Sequence, residues 1–175
     1  MDLGRDYFTL FDTPADYELD LALLGERYRD LQREFHPDRF VDKSQSEQWR
    51  AVQTASIIND AYETLKSPLL RARYLLELCG RQDVSETTTI RDHDFLMQQI
   101  DLREQISEIE GAADPYDLCN TLEIEIQSQL IVQQGLFLQE YRVGDLEKAE
   151  IAVDKMQFFS KLLSQLESIE ETLGD

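Results

Sequence analysis

Two stretches with the apolar spacing of helices flank a His-Pro-Asp tripeptide, and this arrangement restricts the fold of the first part of the chain. The first stripe has four residues at i, i+4, i+7 and i+11: Leu24, Tyr28, Leu31 and Phe35. Such spacing predicts one face of a helix, which should end at His36-Pro37 because a residue before proline is disfavoured in the helical region. After the loop, Ser44 and Glu47 have capping-box spacing. A second stripe follows: Ala51, Ala55, Ile58, Tyr62 and Leu65. Together the two stripes predict a helical hairpin.

Glycine and proline are scarce, at seven and four residues among 175. All-β sandwiches and barrels need more of these turn-forming residues, so the shortage favours long helices. Beyond the hairpin, Ser67-Pro68 predicts the start of a helix over residues 69–78 that is closed near Gly80. Three further helices are predicted over roughly 92–110, 115–142 and 145–173, and their short loops predict an antiparallel three-helix bundle. The predicted fold class is therefore all-α.

The chain is acidic, and its two parts differ in charge. It has 17 basic and 36 acidic residues, a net charge of −19. Residues 1–75 carry 10 basic and 14 acidic side chains, whereas residues 76–175 carry 7 and 22. Nonspecific binding to nucleic acid or to an anionic membrane is not expected, because both require a basic surface. Different partners are expected for the two parts.

Cysteine usage and the N-terminal sequence predict a reducing, cytoplasmic environment. Cys79 and Cys119 lie 40 positions apart, a spacing that fits neither a zinc knuckle nor a disulfide framework. Both are expected to be buried small apolar residues. No stretch approaches the roughly 18 apolar residues of a membrane span. The first residues have neither a basic signal region nor the character of a transit peptide.

The residues around the His-Pro-Asp tripeptide indicate a family more specifically than the tripeptide alone. The preceding helix carries Arg29 and Arg33, Arg39-Phe40 follows the tripeptide, and the next helix contains Asn59-x-Ala61-Tyr62-x-x-Leu65. In this setting the first 75 residues or so resemble the J-domain family: a helical hairpin with short flanking helices. Taken alone, the tripeptide would equally fit a proline-stopped helix followed by a cap.

The J-domain resemblance implies binding to a heat-shock chaperone ATPase. Arg29 and Arg33 would then steer the chain to an acidic surface of that ATPase, and the loop of His36, Pro37 and Asp38 would trigger ATP hydrolysis. Pro37 would hold the loop shape through its fixed φ angle, and the two flanking side chains would offer hydrogen-bonding groups. On this interpretation the chain is not an enzyme and needs no cofactor.

The rest of the chain indicates which kind of J-protein it resembles. It lacks the Gly/Phe-rich linker and the repeated Cys-x-x-Cys units of general J-proteins, and two strings stand out: Leu69-x-Arg71-Ala72-x-Tyr74-Leu75-Leu76 and Phe95-Leu96-Met97-x-Gln99. A short J-domain joined to an acidic bundle resembles the HscB family of iron–sulfur cluster biogenesis. The domains expected are a J-domain over 1–75, a connector over 76–91 and a scaffold-binding three-helix bundle over 92–175. The partners implied are an HscA-type chaperone and the scaffold protein IscU.

Helical spacing divides residues 95–109 into two sides. One side is a sufficient core face: Phe95, Leu102, Ile106 and Ile109. The opposite side combines apolar residues with carboxylates, as a partner site does. By resemblance, the site for IscU comprises Leu96, Met97, Ile100, Asp101, Glu104 and Glu108, with Phe158 from the last helix. Phe158 is expected off the core stripe of that helix, which is Met156, Phe159, Leu163 and Leu166. The alternative is that the three apolar residues pack against the J-domain or are ordinary exposed side chains.

Two other functions fit parts of the sequence. One is a J-protein that serves a general DnaK-type chaperone with a different client. The other is a metal-dependent hydrolase that uses His36, Asp38 and His93. The spacing of these three residues argues against a metal site, because no two of them have ligand spacing on a common element.

Overall fold

The computed structural model describes residues 6–81 and 92–174, and the chain forms two compact units that are divided after Gln82. All regular elements in the described ranges are helical, and no strand occurs there. The predicted all-α class is therefore confirmed. No helix in these ranges is long and apolar enough to cross a membrane.

The first unit contains four α-helices and one 3₁₀ turn. The α-helices are α1 (Tyr7–Leu10), α2 (Leu21–Glu34), α3 (Gln45–Lys66) and α4 (Pro68–Leu78), and the 3₁₀ turn is Pro37–Phe40. The predicted capping box at the start of α3 is present, since the Ser44 and Glu47 side chains each bond to the other residue's backbone N–H. Ser67 closes α3 and caps α4, with Pro68 in its first turn. Helix α2 ends at Glu34, slightly before the predicted position.

Packing in the first unit centres on the α2–α3 hairpin. Leu24, Ile58 and Leu65 have no exposed surface, and the rings of Tyr28 and Tyr62 stack with centroids 3.9 Å apart. Helix α1 is joined to α4, because the Tyr7 backbone N–H donates to the Tyr74 hydroxyl at 2.9 Å.

Helix α4 belongs to this first unit. Arg71 is buried, its guanidinium donates to the Leu65 carbonyl at 2.6 Å, and it lies 5.1 Å from the centroid of the Tyr17 ring. The boundary that the sequence places after residue 75 falls inside α4, where Leu75 and Leu76 are both buried. Most of the predicted connector, residues 82–91, lies outside the described residues.

The second unit is a three-helix bundle. Its helices are α5 (His93–Glu108), α6 (Pro115–Val143) and α7 (Leu146–Gly174), with a 3₁₀ turn at Ile109–Gly111. Gly144, at φ 81°, turns the chain between α6 and α7. The two helices are antiparallel, since Cys119 near the start of α6 contacts Leu166 near the end of α7. One core cluster of the bundle comprises eleven buried residues: Phe95, Leu102, Ile106, Ile109, Cys119, Leu122, Ile126, Phe158, Phe159, Leu162 and Leu166.

Candidate functional site

The His-Pro-Asp loop is a short, self-supported turn at the end of α2. His36 is extended, with φ −61° and ψ 129°, and the backbone N–H of Asp38 donates to its Nδ1 at 3.3 Å. The His36 and Asp38 side chains are 57% and 86% exposed. The loop therefore has a defined shape while its polar groups remain available to a partner.

A cationic face lies beside this loop. An open recess of about 390 Å³ is lined by Arg29, Gln32, Arg33, His36 and Arg39, and we refer to these five residues as the cationic face. Arg39 connects the 3₁₀ turn to α2, because the Arg39 guanidinium donates to the Arg33 carbonyl at 3.2 Å. Arg33 also lies 3.3 Å from Asp30, one turn earlier in α2. The recess has no acidic lining residue, so it suits a negatively charged partner group.

The opposite sides of α5 differ in burial, as the spacing predicts. Phe95, Leu102 and Ile106 are buried in the bundle core, and Ile109 just after the helix is also buried. The other side holds the six residues Leu96, Met97, Ile100, Asp101, Glu104 and Glu108, which we name the α5 patch. Its three apolar side chains are 52%, 52% and 51% exposed, and its three carboxylate residues are exposed as well. Half-exposed apolar groups with carboxylates around them are typical of a protein-binding surface.

Phe158 does not lie where the helical spacing predicts. The prediction that it sits off the core stripe is wrong, because its side chain is only 9% exposed and belongs to the bundle core. Its ring makes edge contacts with Phe95 at 5.5 Å and Phe159 at 5.4 Å, between centroids. The guanidinium of Arg103 covers it at 5.5 Å. A direct role of Phe158 in scaffold binding stays a prediction.

Leu163 is a second departure from the expected stripe. It is only partly buried, whereas Leu162 is 4% exposed. Helix α7 must contact both of its neighbours, and a helix that packs against two others buries a wider face than one stripe. Because the buried face of α7 is wider than one stripe, it includes Phe158 and Leu162.

The ion pair that holds α5 in place is not evident from the sequence. Lys155 on α7 donates to the Asp92 carboxylate at 2.6 Å, and its Nζ lies 4.8 Å from the Phe95 ring centroid. Asp92 also accepts from the Phe95 backbone N–H. The hydrogen bond from Lys155, helped by the backbone bond, lowers the pKa of Asp92 below its ordinary value. The presence of Lys155 in an acidic helix could have suggested an ion pair. The sequence does not identify its partner, because Asp92 lies 63 residues away.

The cysteines and histidines of the described residues form no metal site. Within residues 6–81 and 92–174, no group of three or more His, Cys, Asp or Glu side chains is placed to hold a metal ion. Cys119 is buried in the core, and burial, together with nearby Glu170, raises the pKa of its thiol. Cys79 is exposed, contrary to the expectation that both cysteines are buried.

Three solved structures have the fold of this chain, and two of them are also similar to it in sequence. It is 35% identical to the chaperone HscB from Vibrio cholerae, over 97% of this chain and 99% of that chain, with a TM-score of 0.86. It is 30% identical to the human co-chaperone HscB, over 97% and 84%, with a TM-score of 0.90. The Jac1 co-chaperone from Saccharomyces cerevisiae, 21% identical over 93% and 97%, shares the fold with a TM-score of 0.71.

A family model supports the same assignment for the second unit. Residues 91–167 match the model described as the HSCB C-terminal oligomerisation domain. The Vibrio cholerae protein exceeds 30% identity and is covered almost completely. The chain therefore belongs to the HscB family, the J-type co-chaperones of iron–sulfur cluster assembly.

Proposed function

We propose that this chain delivers the iron–sulfur scaffold IscU to an HscA-type chaperone ATPase and stimulates that ATPase. One observation carries the proposal: each unit presents an exposed surface of its own chemistry, the cationic face in the first and the α5 patch in the second. Delivery of one protein to another requires two such separate surfaces. Partners of these two kinds, an Hsp70-type chaperone and IscU, are those of the HscB family.

The cationic face and the adjoining His-Pro-Asp loop together form the proposed chaperone-binding surface, and its functional residues are Arg29, Arg33, His36, Pro37 and Asp38. Exposed arginines attract an acidic partner over a distance, which raises the association rate more than the final affinity. The bond between the Asp38 N–H and His36 Nδ1 gives the loop its shape before binding. Less conformational freedom is then lost in the complex.

The α5 patch is the proposed IscU-binding surface. Leu96, Met97 and Ile100 offer apolar side chains that a partner can bury, and such central groups usually supply most of the binding energy at an interface. Asp101, Glu104 and Glu108 follow on the next turns of the same side and would select a basic surface on the scaffold. Phe158 supports the patch from inside the bundle through its contact with Phe95 on α5.

The chain itself performs no bond-breaking step in this proposal. ATP is hydrolysed within the chaperone, and His36 and Asp38 act by contacting that protein. Both side chains are exposed, so we expect their replacement to leave the helices of this unit folded. Chaperone stimulation and scaffold binding are therefore separable by mutation.

The matched pair His36→Gln and His93→Gln tests the proposal. Both histidines are exposed, but only His36 belongs to the cationic face. We expect His36→Gln to lose stimulation of the HscA-type ATPase while binding IscU with parental affinity in calorimetry. His93→Gln should behave like the parent in both assays.

Full stimulation by His36→Gln would contradict the chaperone-binding assignment. The same assay with a DnaK-type chaperone distinguishes the specialised role from a general one. Equal stimulation of both chaperones together with no IscU binding would favour a J-protein with a different client.

A further inference from the structure

The end of the first unit that carries the His-Pro-Asp loop also presents large apolar side chains. Val41 follows the 3₁₀ turn, and Trp49 and Val52 lie near the start of α3. Their exposed fractions are 66%, 64% and 55%, and we call these three residues the Trp49 patch. A tryptophan side chain is on average highly buried in a folded protein. One as exposed as Trp49 is therefore a candidate contact for a partner.

The Trp49 patch lies away from the core of the α2–α3 hairpin. Trp49 and Val52 are three residues apart in α3 and share one side of the helix. Buried residues near them, such as Ala51 and Ile58, occupy the opposite side. Arg50 lies about 100° around the helix from Trp49 and is outside the patch. Truncation of the patch should therefore leave the hairpin core intact.

Hydrogen bonds hold the Trp49 patch next to the His-Pro-Asp loop. The Gln48 side-chain amide donates to the Val41 carbonyl at 2.8 Å and to the Lys43 carbonyl at 3.0 Å. These two bonds fasten the segment after the 3₁₀ turn to the first turn of α3. Arg39 is only two residues before Val41, and it lines the recess of the cationic face. The Trp49 patch and the cationic face are therefore neighbouring parts of one surface.

Other exposed apolar residues of this unit lie far from the loop. Leu21 and Leu23 are at the start of α2, and the loop follows the other end of that helix, about 20 Å away at 1.5 Å per residue. Leu70 is near the start of α4, beyond the end of α3 and about 25 Å from Trp49 along that helix. The Trp49 patch thus supplies apolar surface at the end of the hairpin where the loop lies.

A partner that binds the His-Pro-Asp loop needs more contacts than the cationic face provides. A standard interface involves about 20–30 residues on each side, so it extends beyond the five residues of the cationic face. Exposed charges act mainly on the association rate. Affinity depends instead on a few buried anchors, among which tryptophan is frequent. The neighbouring Trp49 patch has the chemistry of such an anchor.

We propose that the Trp49 patch is the apolar anchor that holds the HscA-type chaperone beside the His-Pro-Asp loop. This inference rests on the proposed function, because the partner is the same. The cationic face attracts the chaperone, and the Trp49 patch slows its dissociation. The chaperone surface that fits is apolar and adjoins the acidic surface that fits the arginines.

Binding kinetics of Trp49→Ala with the HscA-type chaperone test the proposal. We expect the dissociation rate constant to rise by about tenfold or more, while the association rate constant stays within about twofold of the parent's. This loss should persist at high salt, because salt does not screen an apolar contact. The matched variant Leu70→Ala should bind like the parent, and both variants should melt close to it. An unchanged dissociation rate, or an equal rise with Leu70→Ala, would overturn the proposal.

ATPase stimulation separates this inference from the proposed function. Trp49→Ala keeps His36, so about tenfold or more of this variant should restore the parent's maximal stimulation. His36→Gln should not reach that maximum at any concentration. If Trp49→Ala binds and stimulates as the parent does, the inference is wrong and the proposed function stands. If the parent itself does not stimulate the chaperone, both are wrong. Loss of IscU binding by Trp49→Ala, with chaperone binding unchanged, would assign the patch to the scaffold instead.

Fluorescence reports on the patch directly, because Trp49 is the only tryptophan of the chain. The emission of an exposed indole ring shifts to shorter wavelength when the ring leaves water. We expect this shift when the chaperone is added. The same titration with Trp49→Phe gives the chaperone's own tryptophan signal, which is subtracted. An unshifted Trp49 spectrum at saturation would show that the ring stays in water, and the proposal would be wrong.

Discussion

The ammonium group of Lys155 on α7 lies 2.6 Å from the carboxylate of Asp92, the residue that caps α5. This ion pair fixes the start of α5 against α7, one turn before Leu96 and Met97 of the α5 patch. The Phe95 ring lies beneath the same ammonium group. The orientation of the patch therefore depends on a contact that is remote in sequence.

Asp92→Asn should destabilise the bundle in a pH-dependent way. Asparagine keeps the helix cap but removes the charge that pairs with Lys155. Because the folded-state pKa of Asp92 is lowered, its contribution is present above its unfolded pKa near 3.8 and is lost as pH falls through the folded value. Thermal melts should show a lower melting temperature than the parent's at pH 7, and this difference should shrink below pH 4. An equal difference at both pH values would instead indicate a defect in the cap.

Charge reversal at Arg29 should weaken chaperone binding in a salt-dependent way. Arg29→Glu places a negative charge in the cationic face, and exposed charges are screened by salt. The loss of affinity for the HscA-type chaperone should be about tenfold or more at low salt and smaller at high salt. Arg50→Glu on α3 is the control, since Arg50 is exposed but does not line the recess. A loss independent of salt, or an equal loss with Arg50→Glu, would contradict steering by the cationic face.

Simultaneous alanine substitution of Leu96, Met97 and Ile100 should separate binding from stability. These side chains are about half exposed, so the variant should melt close to the parent. Its affinity for IscU should fall by about one order of magnitude or more, because apolar anchors dominate interface energies. Calorimetry beside melting curves measures both quantities. A lowered melting temperature with unchanged affinity would show that the three residues serve packing.

The control for this variant is an alanine triple on an exposed part of α6, at Ile131, Val132 and Leu136. Those residues are 66%, 51% and 41% exposed, so a similar apolar area is removed. This control should keep its affinity for IscU. Equal losses in both triples would mean that the scaffold binds apolar surface without preference.

Signals within a few residues allowed much of the fold to be predicted. The capping box at Ser44, the helix start at Pro68 and the core face of α5 each depend on neighbours within about two turns, and all three are confirmed. Contacts between residues that are distant in sequence could not be predicted in this way. The Asp92–Lys155 pair and the burial of Arg71 arise only when helices are packed together.

Phe158 shows why periodicity alone misplaces some core residues. A single helical stripe identifies the face toward one neighbour, but α7 packs against both α5 and α6. Phe158 lies on the side toward Phe95 of α5, as their ring contact shows. The sequence indicates that α7 is amphipathic, but it does not indicate how wide its buried face is.

Phe158→Ala and Phe158→Leu distinguish support from direct contact with the scaffold. Removing a buried phenylalanine side chain leaves a cavity, so the alanine variant should lose about 3–5 kcal/mol of unfolding free energy. Its IscU affinity should fall as well, because α5 loses the ring that packs against Phe95. Leucine restores most of the volume and should cost less than about 1.5 kcal/mol.

The leucine variant decides how Phe158 acts. With only 9% of its surface exposed and Arg103 above it, the ring offers a partner little area. Phe158→Leu should therefore bind IscU within about twofold of the parent, a difference below the ~1.4 kcal/mol that a tenfold change requires. If the leucine variant melts like the parent but loses tenfold or more in affinity, Phe158 contacts the scaffold directly, and its role is not limited to holding α5 in place.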